Sequence, residues 1–422
     1  MAGQSFKLLL VMLAVTAQAG AAQADPLAPE VSKSDNERLL PGIYPAPPVP
    51  EGFGVADEPG QKPFHLDWSV GLKGTITSTT NGSSFVTTLN PQFTATHAGR
   101  RMDIVVDGAA ELARSQDGAI AVPALRLGLS TTTELDRDTR LDAETTLELT
   151  RQLPGSVGLD PRVIEAPQVL SGALGLGVER SFGRFNLGVR GDAARVVYGA
   201  TQRSDTGLTD NSDQNLWRGE ASLRLGYQLT PILEVFGQAS VERSWFDQAS
   251  PTLGVRTDAT DRALRAGLAG KWNGIVTASA SVGVGQHDFD ASSLSDITTQ
   301  LYDASLTFTP DPTLNLTAAF STRVEPTGTD TSGTARVTHL ASAKADYVVN
   351  SWLRLRAKAD WGNSVLEGSG ETERRYGFGA GADYKFNSRT ALSADYVYDH
   401  RDNSRTGPND AQIVSLGITL RR

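Results

Sequence analysis

The stretch Phe64-His65-Leu66-Asp67-Trp68-Ser69-Val70-Gly71-Leu72-Lys73-Gly74-Thr75-Ile76 decides the fold. In an extended chain Phe64, Leu66, Trp68, Val70, Leu72 and Ile76 share one face, while His65, Asp67, Ser69, Lys73 and Thr75 share the other. A strand buried on both sides reads as a continuous apolar run and cannot hold charge at alternate positions. One face must meet an apolar medium and the other must meet water.

The same period returns along the chain. Met102, Ile104, Val106, Ala110 and Leu112 alternate with Asp103, Asp107 and Glu111. Leu141, Ala143, Leu147 and Leu149 alternate with Asp142, Glu144 and Glu148. Trp217, Ala221, Leu223, Leu225 and Tyr227 alternate with Arg218, Glu220, Ser222 and Arg224; Leu353, Leu355, Ala357, Ala359 and Trp361 with Arg354, Arg356, Lys358 and Asp360. Helical periodicity cannot produce these sets.

Connections carry the second half of the reading. Tight turns are predicted at Ser181-Gly183, Thr230-Pro231, Asn273-Gly274, Asp311-Thr313, Asn350-Ser351 and Asn387-Ser388. Longer polar segments, 153–168, 199–214, 246–261, 288–296, 325–336, 362–373 and 401–410, alternate with them from residue 150 onward. Short turns on one side and long loops on the other are the habit of outer-membrane barrels. The expected fold is all-β: a transmembrane antiparallel up-and-down β-barrel of about eighteen strands, each of roughly ten to thirteen residues, with both termini periplasmic. Soluble β-sandwiches and β-helices share the period of two, but their strands are shorter and their connections less regular. Aromatic residues fall near both strand ends, as interfacial girdles would.

Composition sets the compartment. The chain has 422 residues and no cysteine, which excludes a lipoprotein anchor, disulfides and Cys-ligated metals. No stretch is long and apolar enough for a transmembrane helix, and a mean hydropathy of -0.25 is what strands with one wet face average to. A net charge of -9 argues against nucleic acid. Lys7, the apolar run Leu8 to Val15 and Ala22-Gln23-Ala24 form a signal peptide over residues 1–24, making Asp25 the first mature residue. Prolines at 41, 45, 47, 48, 50, 59 and 63 make residues 25–63 an extended periplasmic arm, or a segment that plugs the barrel. Residues 64–422 are then the barrel.

With the apolar faces in lipid, the charged faces line a wet lumen, since a charge in hydrocarbon costs roughly 2–4 kcal/mol at mid-depth. The lumen-lining residues expected are Asp103, Asp107, Glu111, Glu144, Glu148, Arg218, Arg224, Arg354, Arg356 and Lys358. Acidic strands near 102–112 and 141–149 against a cationic strand at 353–361 allow two arrangements. Opposed walls would set up a transverse field; neighbouring strands would simply pair their charges.

Catalysis finds little footing. Of five histidines, His339 falls on the apolar face near the outer rim, and no serine is matched to it by spacing. No His or carboxylate cluster has metal-ligand spacing, and no cofactor is implied. Loop acids Asp205, Asp210, Asp213, Asp288 and Asp290 read as solvated charge rather than calcium ligands.

The Pro-rich lead-in ending Pro63-Phe64, the Phe64–Thr77 strand, the segment Phe85-Val86-Thr87-Thr88-Leu89-Asn90-Pro91 and the run of hairpins beyond resemble the putative β-barrel porin 2 group of outer-membrane proteins. The resemblance covers nearly the whole mature chain in pattern and supplies no catalytic or ligand residues. It implies a non-enzymatic channel in the outer membrane of a diderm bacterium. Because members are often associated with exopolysaccharide or capsule systems, it also implies a conduit for saccharide. One departure stands out: such barrels usually finish on an aromatic residue, and this chain ends Arg421-Arg422. The expected function is a porin passing polar solutes or exported exopolysaccharide; the alternative is a non-conducting scaffold or adhesin with partner-binding external loops. Expected partners are outer-membrane lipid and lipopolysaccharide, the barrel-insertion machinery, and polysaccharide-export components reached through residues 25–63.

Overall fold

A computed structural model describes residues 64–80, 82–116, 118–152, 162–326 and 333–422. The signal peptide and the 25–63 arm or plug lie outside the described residues. Eighteen strands run in sequence: β1 Phe64–Thr79, β2 Gly82–Ala98, β3 Met102–Ser115, β4 Ile120–Glu134, β5 Thr139–Arg151, β6 Gln168–Phe182, β7 Phe185–Tyr198, β8 Leu216–Thr230 and β9 Leu233–Phe246. Then come β10 Ala259–Trp272, β11 Val276–Phe289, β12 Ile297–Asp311, β13 Leu314–Glu325, β14 Ala335–Asn350, β15 Leu353–Glu367, β16 Glu371–Asn387, β17 Thr390–Asn403 and β18 Gly407–Arg421.

Each strand pairs antiparallel with its chain neighbours, and β1 also pairs with β18, from Ser69↔Arg421 to Thr79↔Ala411. The sheet therefore closes with no free edge, which is what a lipid environment demands of strands. With an even strand count, both ends of the barrel sequence lie at one rim. A fourteen-residue strand such as β10 reaches about 46 Å at ~3.3 Å per residue. Tilted by about 40° it still crosses the ~30 Å hydrocarbon layer.

Exposed apolar side chains cover the outside. Leu66, Trp68, Leu72 and Ile76 on β1, Leu223 and Leu225 on β8, and Leu416, Ile418 and Leu420 on β18 are all solvent-exposed, while their alternates Ser69 and Ser415 are buried.

Turn chemistry fixes the short-connection rim. Asn273 (φ 50) and Gly274 (φ 70) both adopt positive φ, the backbone a two-residue hairpin of matching twist requires. Three other turns are closed by a side chain that replaces a backbone acceptor. Asp311 accepts from the Thr313 and Leu314 amides, Asn350 from Trp352 and Leu353, and Asn387 from Arg389.

The predicted long connections at 362–373 and 401–410 are corrected. Residues 368–370 and 404–406 form three-residue turns, and β15 to β18 continue through the polar segments. Glu373↔Asn403 and Arg374↔Asp402 sit in the ladder. Strands accordingly run from twelve residues in β13 to seventeen in β16, longer than anticipated. The connections after β5 and β7 carry structure of their own: Thr201–Arg203 pairs with Gly207–Thr209 and with Val163–Glu165 in a three-stranded sheet. Arg162–Asp205 (3.2 Å) and Arg151–Glu165 (2.7 Å) tie it down.

Candidate functional site: the charged inner wall

Cross-strand partners share a face of the sheet, so register carries the inner face from strand to strand. All ten sequence-predicted lumen residues fall on the face opposite the exposed apolar set. Five carboxylates come to one ladder row. Glu144 pairs across Gly175 with Asp192, which is followed by Glu220, Glu242, Asp261 and finally His287. Five different strands supply these acids; the period-two reading named Glu144 and Glu220 on the wet face, placed Asp261 in a loop, and did not bring the five to one row.

Cations answer some of this row. Arg190 binds Asp192 (2.7 Å), Arg218 Nε meets Glu242 Oε1 (2.9 Å) and His287 Nδ1 lies 2.6 Å from Asp261. Glu144 and Glu220 have no opposite charge within 4 Å among the described residues. The same holds for Asp103, Glu111 and Glu148 on β3 and β5, and Asp107 has only Arg126 at 3.9 Å. Arg224 is held by Glu234 (2.9 Å) and lies 3.5 Å over the Phe236 ring.

Across the barrel the cationic strand β15 is largely neutralised by its neighbours. Arg354 binds Asp346 on β14 (2.6 Å). Arg356 forks onto both oxygens of Asp383 (2.8 Å each) and reaches Asp395 (2.9 Å). These side chains are nearly sealed, at 13% exposure for Arg356, 1% for Asp383 and 9% for Asp395. Glycine makes the arrangement possible. A Cβ on Gly381 would strike Asp395, and one on Gly379 would come within 2.9 Å of Lys358 Cε. With no side chains between them, β15 and β17 meet over β16.

Part of this wall stays unpaired: the cations Lys344, Lys358 and Arg375 and the acids Asp360 and Asp399 have no ion partner within 4 Å among the described residues. Lys344 and Lys358 are direct cross-strand partners on β14 and β15 without a carboxylate within 4 Å. Two like charges side by side are destabilising unless something else solvates or binds them. Lys73 on β1 lies in the field of Lys358, Asp395 and Glu111. In a ring of eighteen strands, β14–β15 stands opposite β5–β6, the Glu144 end of the row, whereas β10 at its other end is only four strands from β14. Of the two arrangements expected from sequence, cross-strand pairing accounts for most of this charge.

Other expectations resolve by contact. His339 Nδ1 lies 3.0 Å from Thr322 Oγ1, a hydroxyl only 1% exposed, so the one hydroxyl matched to this histidine is shut away. Of the loop acids, Asp205 is bound by Arg203 and Arg162, Asp210 by Ser212, Asp288 by Arg262 and Asp290 by Arg243. Among the described residues no three His, Asp or Glu side chains could hold a metal ion. The arginine hydrogen bonds hold the carboxyls of Asp205 and Asp290 below their ordinary range.

The profile of the putative beta-barrel porin 2 family matches residues 69–422. No curated protein sequence matches the chain. Solved structures with a similar course include Pseudomonas aeruginosa OpdK with vanillate, 11% identical, covering 85% of this chain and 99% of that one at a TM-score of 0.42. OccK2 (OpdF) from the same organism, in complex with glucuronate, is 9% identical over 85% and 98% at 0.44. The siderophore receptor PirA of that organism is 11% identical over 85% and 80% at 0.41.

Proposed function

The chain belongs to the putative beta-barrel porin 2 family, and from that premise we propose that it is an outer-membrane pore for small polar solutes, with a charge-divided inner wall as its filter. Barrels of sixteen to eighteen strands leave an aqueous channel unless a segment fills it. The observation that carries the reading is the inner row Glu144, Asp192, Glu220, Glu242 and Asp261, whose Glu144 end lies across the ring from the Lys344–Lys358 pair. Opposed walls of unlike charge orient a dipolar or zwitterionic solute in transit and repel apolar ones. The short-turn rim, with both ends of the barrel sequence, faces the periplasm in this reading, and the long connections face outward.

Saccharide passage, which the family resemblance implied, draws no support from the wall. Polymer sliding favours aromatic faces along the path, and Trp68, Trp217, Trp245, Trp272, Trp352 and Trp361 are all exposed, five of them on outward strand positions and Trp352 in a turn. The scaffold reading gains one observation, the ordered loop sheet with Leu208 72% exposed. Planar-bilayer recording separates the two. A pore gives discrete steps, and Glu144→Gln with Glu220→Gln moves the reversal potential toward anions while Lys358→Glu moves it toward cations. A folded barrel that stays silent even after deletion of residues 25–63 would leave the scaffold standing.

A further inference from the structure

The outer wall over β7–β11 is not a plain apolar surface. Four outward ladder rows stack there from mid-wall to the long-loop rim. The lowest runs Val189, Leu223, Ala239, Leu264, Val284, and the next Gly191, Ala221, Val241, Arg262, Gln286. Above them come Ala193, Gly219, Arg243, Thr260, Asp288, and then Arg195 beside Trp217 and Trp245. Small residues in the middle of two rows leave a groove of about 660 Å³, floored by Ala221 and Ala239, flanked by Leu223, Val241 and Leu264, and closed at its rim end by Arg262 and Gln286.

The polar end of this groove is built for an anion at the membrane interface. Arg195 lies over the Trp217 ring at 5.3 Å and Arg243 over Trp245 at 5.9 Å, an amphipathic pairing suited to headgroup depth. Acids just beyond the strands hold two of these arginines, Asp247 at 2.8 Å from Arg195 and Asp290 at 2.7 Å from Arg243. Arg262 differs. Its side chain is 61% exposed whereas its partner Asp288 is 21% exposed, so the cation is what the groove presents. A guanidinium has five donors, and one carboxylate leaves some of them pointing outward.

We propose that this groove seats one outer-leaflet phosphoglycolipid, with an acyl chain over Ala221 and Ala239 and a headgroup phosphate on Arg262. Length and polarity agree: the apolar floor runs toward mid-wall, and the charged end lies at the long-loop rim. The site rests on the proposed orientation, with the long-loop rim outward, and does not depend on conduction.

Native mass spectrometry of the detergent-solubilised mature chain, titrated with purified lipopolysaccharide and separately with phosphatidylethanolamine, tests this. The wild-type barrel is expected to retain one lipopolysaccharide in preference to phosphatidylethanolamine. Arg262→Gln should weaken that binding by about tenfold, the scale of one charge-assisted contact. Ala221→Leu with Ala239→Leu, a lipid-compatible change that fills the floor, should abolish it. Arg114→Gln, an exposed arginine on β3 outside the groove, should leave it unchanged. Equal binding of both lipids, or wild-type affinity in the groove variants, would overturn the proposal. So would a wild-type dimer that the leucine variant dissolves with lipid binding intact, because the groove would then belong to a second copy of the chain.

Discussion

Replacing Arg356 is the sharpest probe of the inner wall. Its guanidinium makes three contacts of 2.8–2.9 Å, two to Asp383 and one to Asp395. Both carboxylates are under a tenth exposed, so water screens little of the interaction. Arg356→Gln removes three charge-assisted contacts from two nearly dry acids on adjacent strands. Breaking such a pair from one side costs roughly 3–5 kcal/mol, most of it the desolvation of the abandoned charge. We expect about 3 kcal/mol, a little over a hundredfold in the folding constant, because the lumen supplies some water. Urea unfolding of the barrel in lipid vesicles would measure it. Adding Asp383→Asn to Arg356→Gln should recover more than 1 kcal/mol, since the second change removes one of the stranded charges. A loss below about 1 kcal/mol, or strictly additive losses in the double variant, would show that the lumen hydrates these groups and that the triad is incidental to stability.

Three further outcomes follow from the same structure. Gly274→Ala should cost about 1 kcal/mol and slow assembly, because its φ of 70 is strained for any residue with a Cβ, whereas Gly172→Ala, with only Leu147 at 3.9 Å, should be nearly silent. Asp247 and Asp290 have carboxyls held below the ordinary value of 3.8 by Arg195 and Arg243, so their stabilisation is intact above that pH and fades as pH falls beneath it. Tryptophan emission from Trp217 and Trp245 should shift in that acid window, and Arg195→Ala with Arg243→Ala should remove the shift. Gly379→Leu, placing a side chain where Lys358 now lies, should lower single-channel conductance without changing the unfolding midpoint by as much as Arg356→Gln.

Much of the barrel was legible because membrane strands advertise both faces. Phe64 to Ile76 gives phase, Asn273-Gly274 gives a turn, and an even strand count brings the two ends to one rim. The failure at 362–373 and 401–410 has a plain cause. Strand ends that rise past the bilayer lose their apolar face, so Glu371, Thr372, Glu373 and Arg374 look like loop although they are paired with β15 and β17. Composition marks where the lipid stops, and the ladder continues beyond it. The sheet made by Val163–Glu165 with Thr201–Arg203 was hidden for a related reason, since its strands are three residues long and too short to show a period.

The filter was legible only by face. Period two assigns Glu144, Glu220 and Lys358 to the interior, but whether two interior charges share a level depends on strand offset, a long-range quantity that no window of sequence contains. One local signal does bear on it. Tyr376-Gly377-Phe378-Gly379-Ala380-Gly381 alternates outward Tyr376, Phe378 and Ala380 with inward glycines, and Gly175-Leu176-Gly177 does the same on β6. An inward glycine costs strand stability and must be repaid by what approaches over it. At Gly175 the approach is Arg190 with Asp192; at Gly381 it is Arg356 with Asp395. Alternate inward glycines therefore mark where flanking strands lay charged side chains across a bare one, and in this chain they flank both walls of the proposed filter.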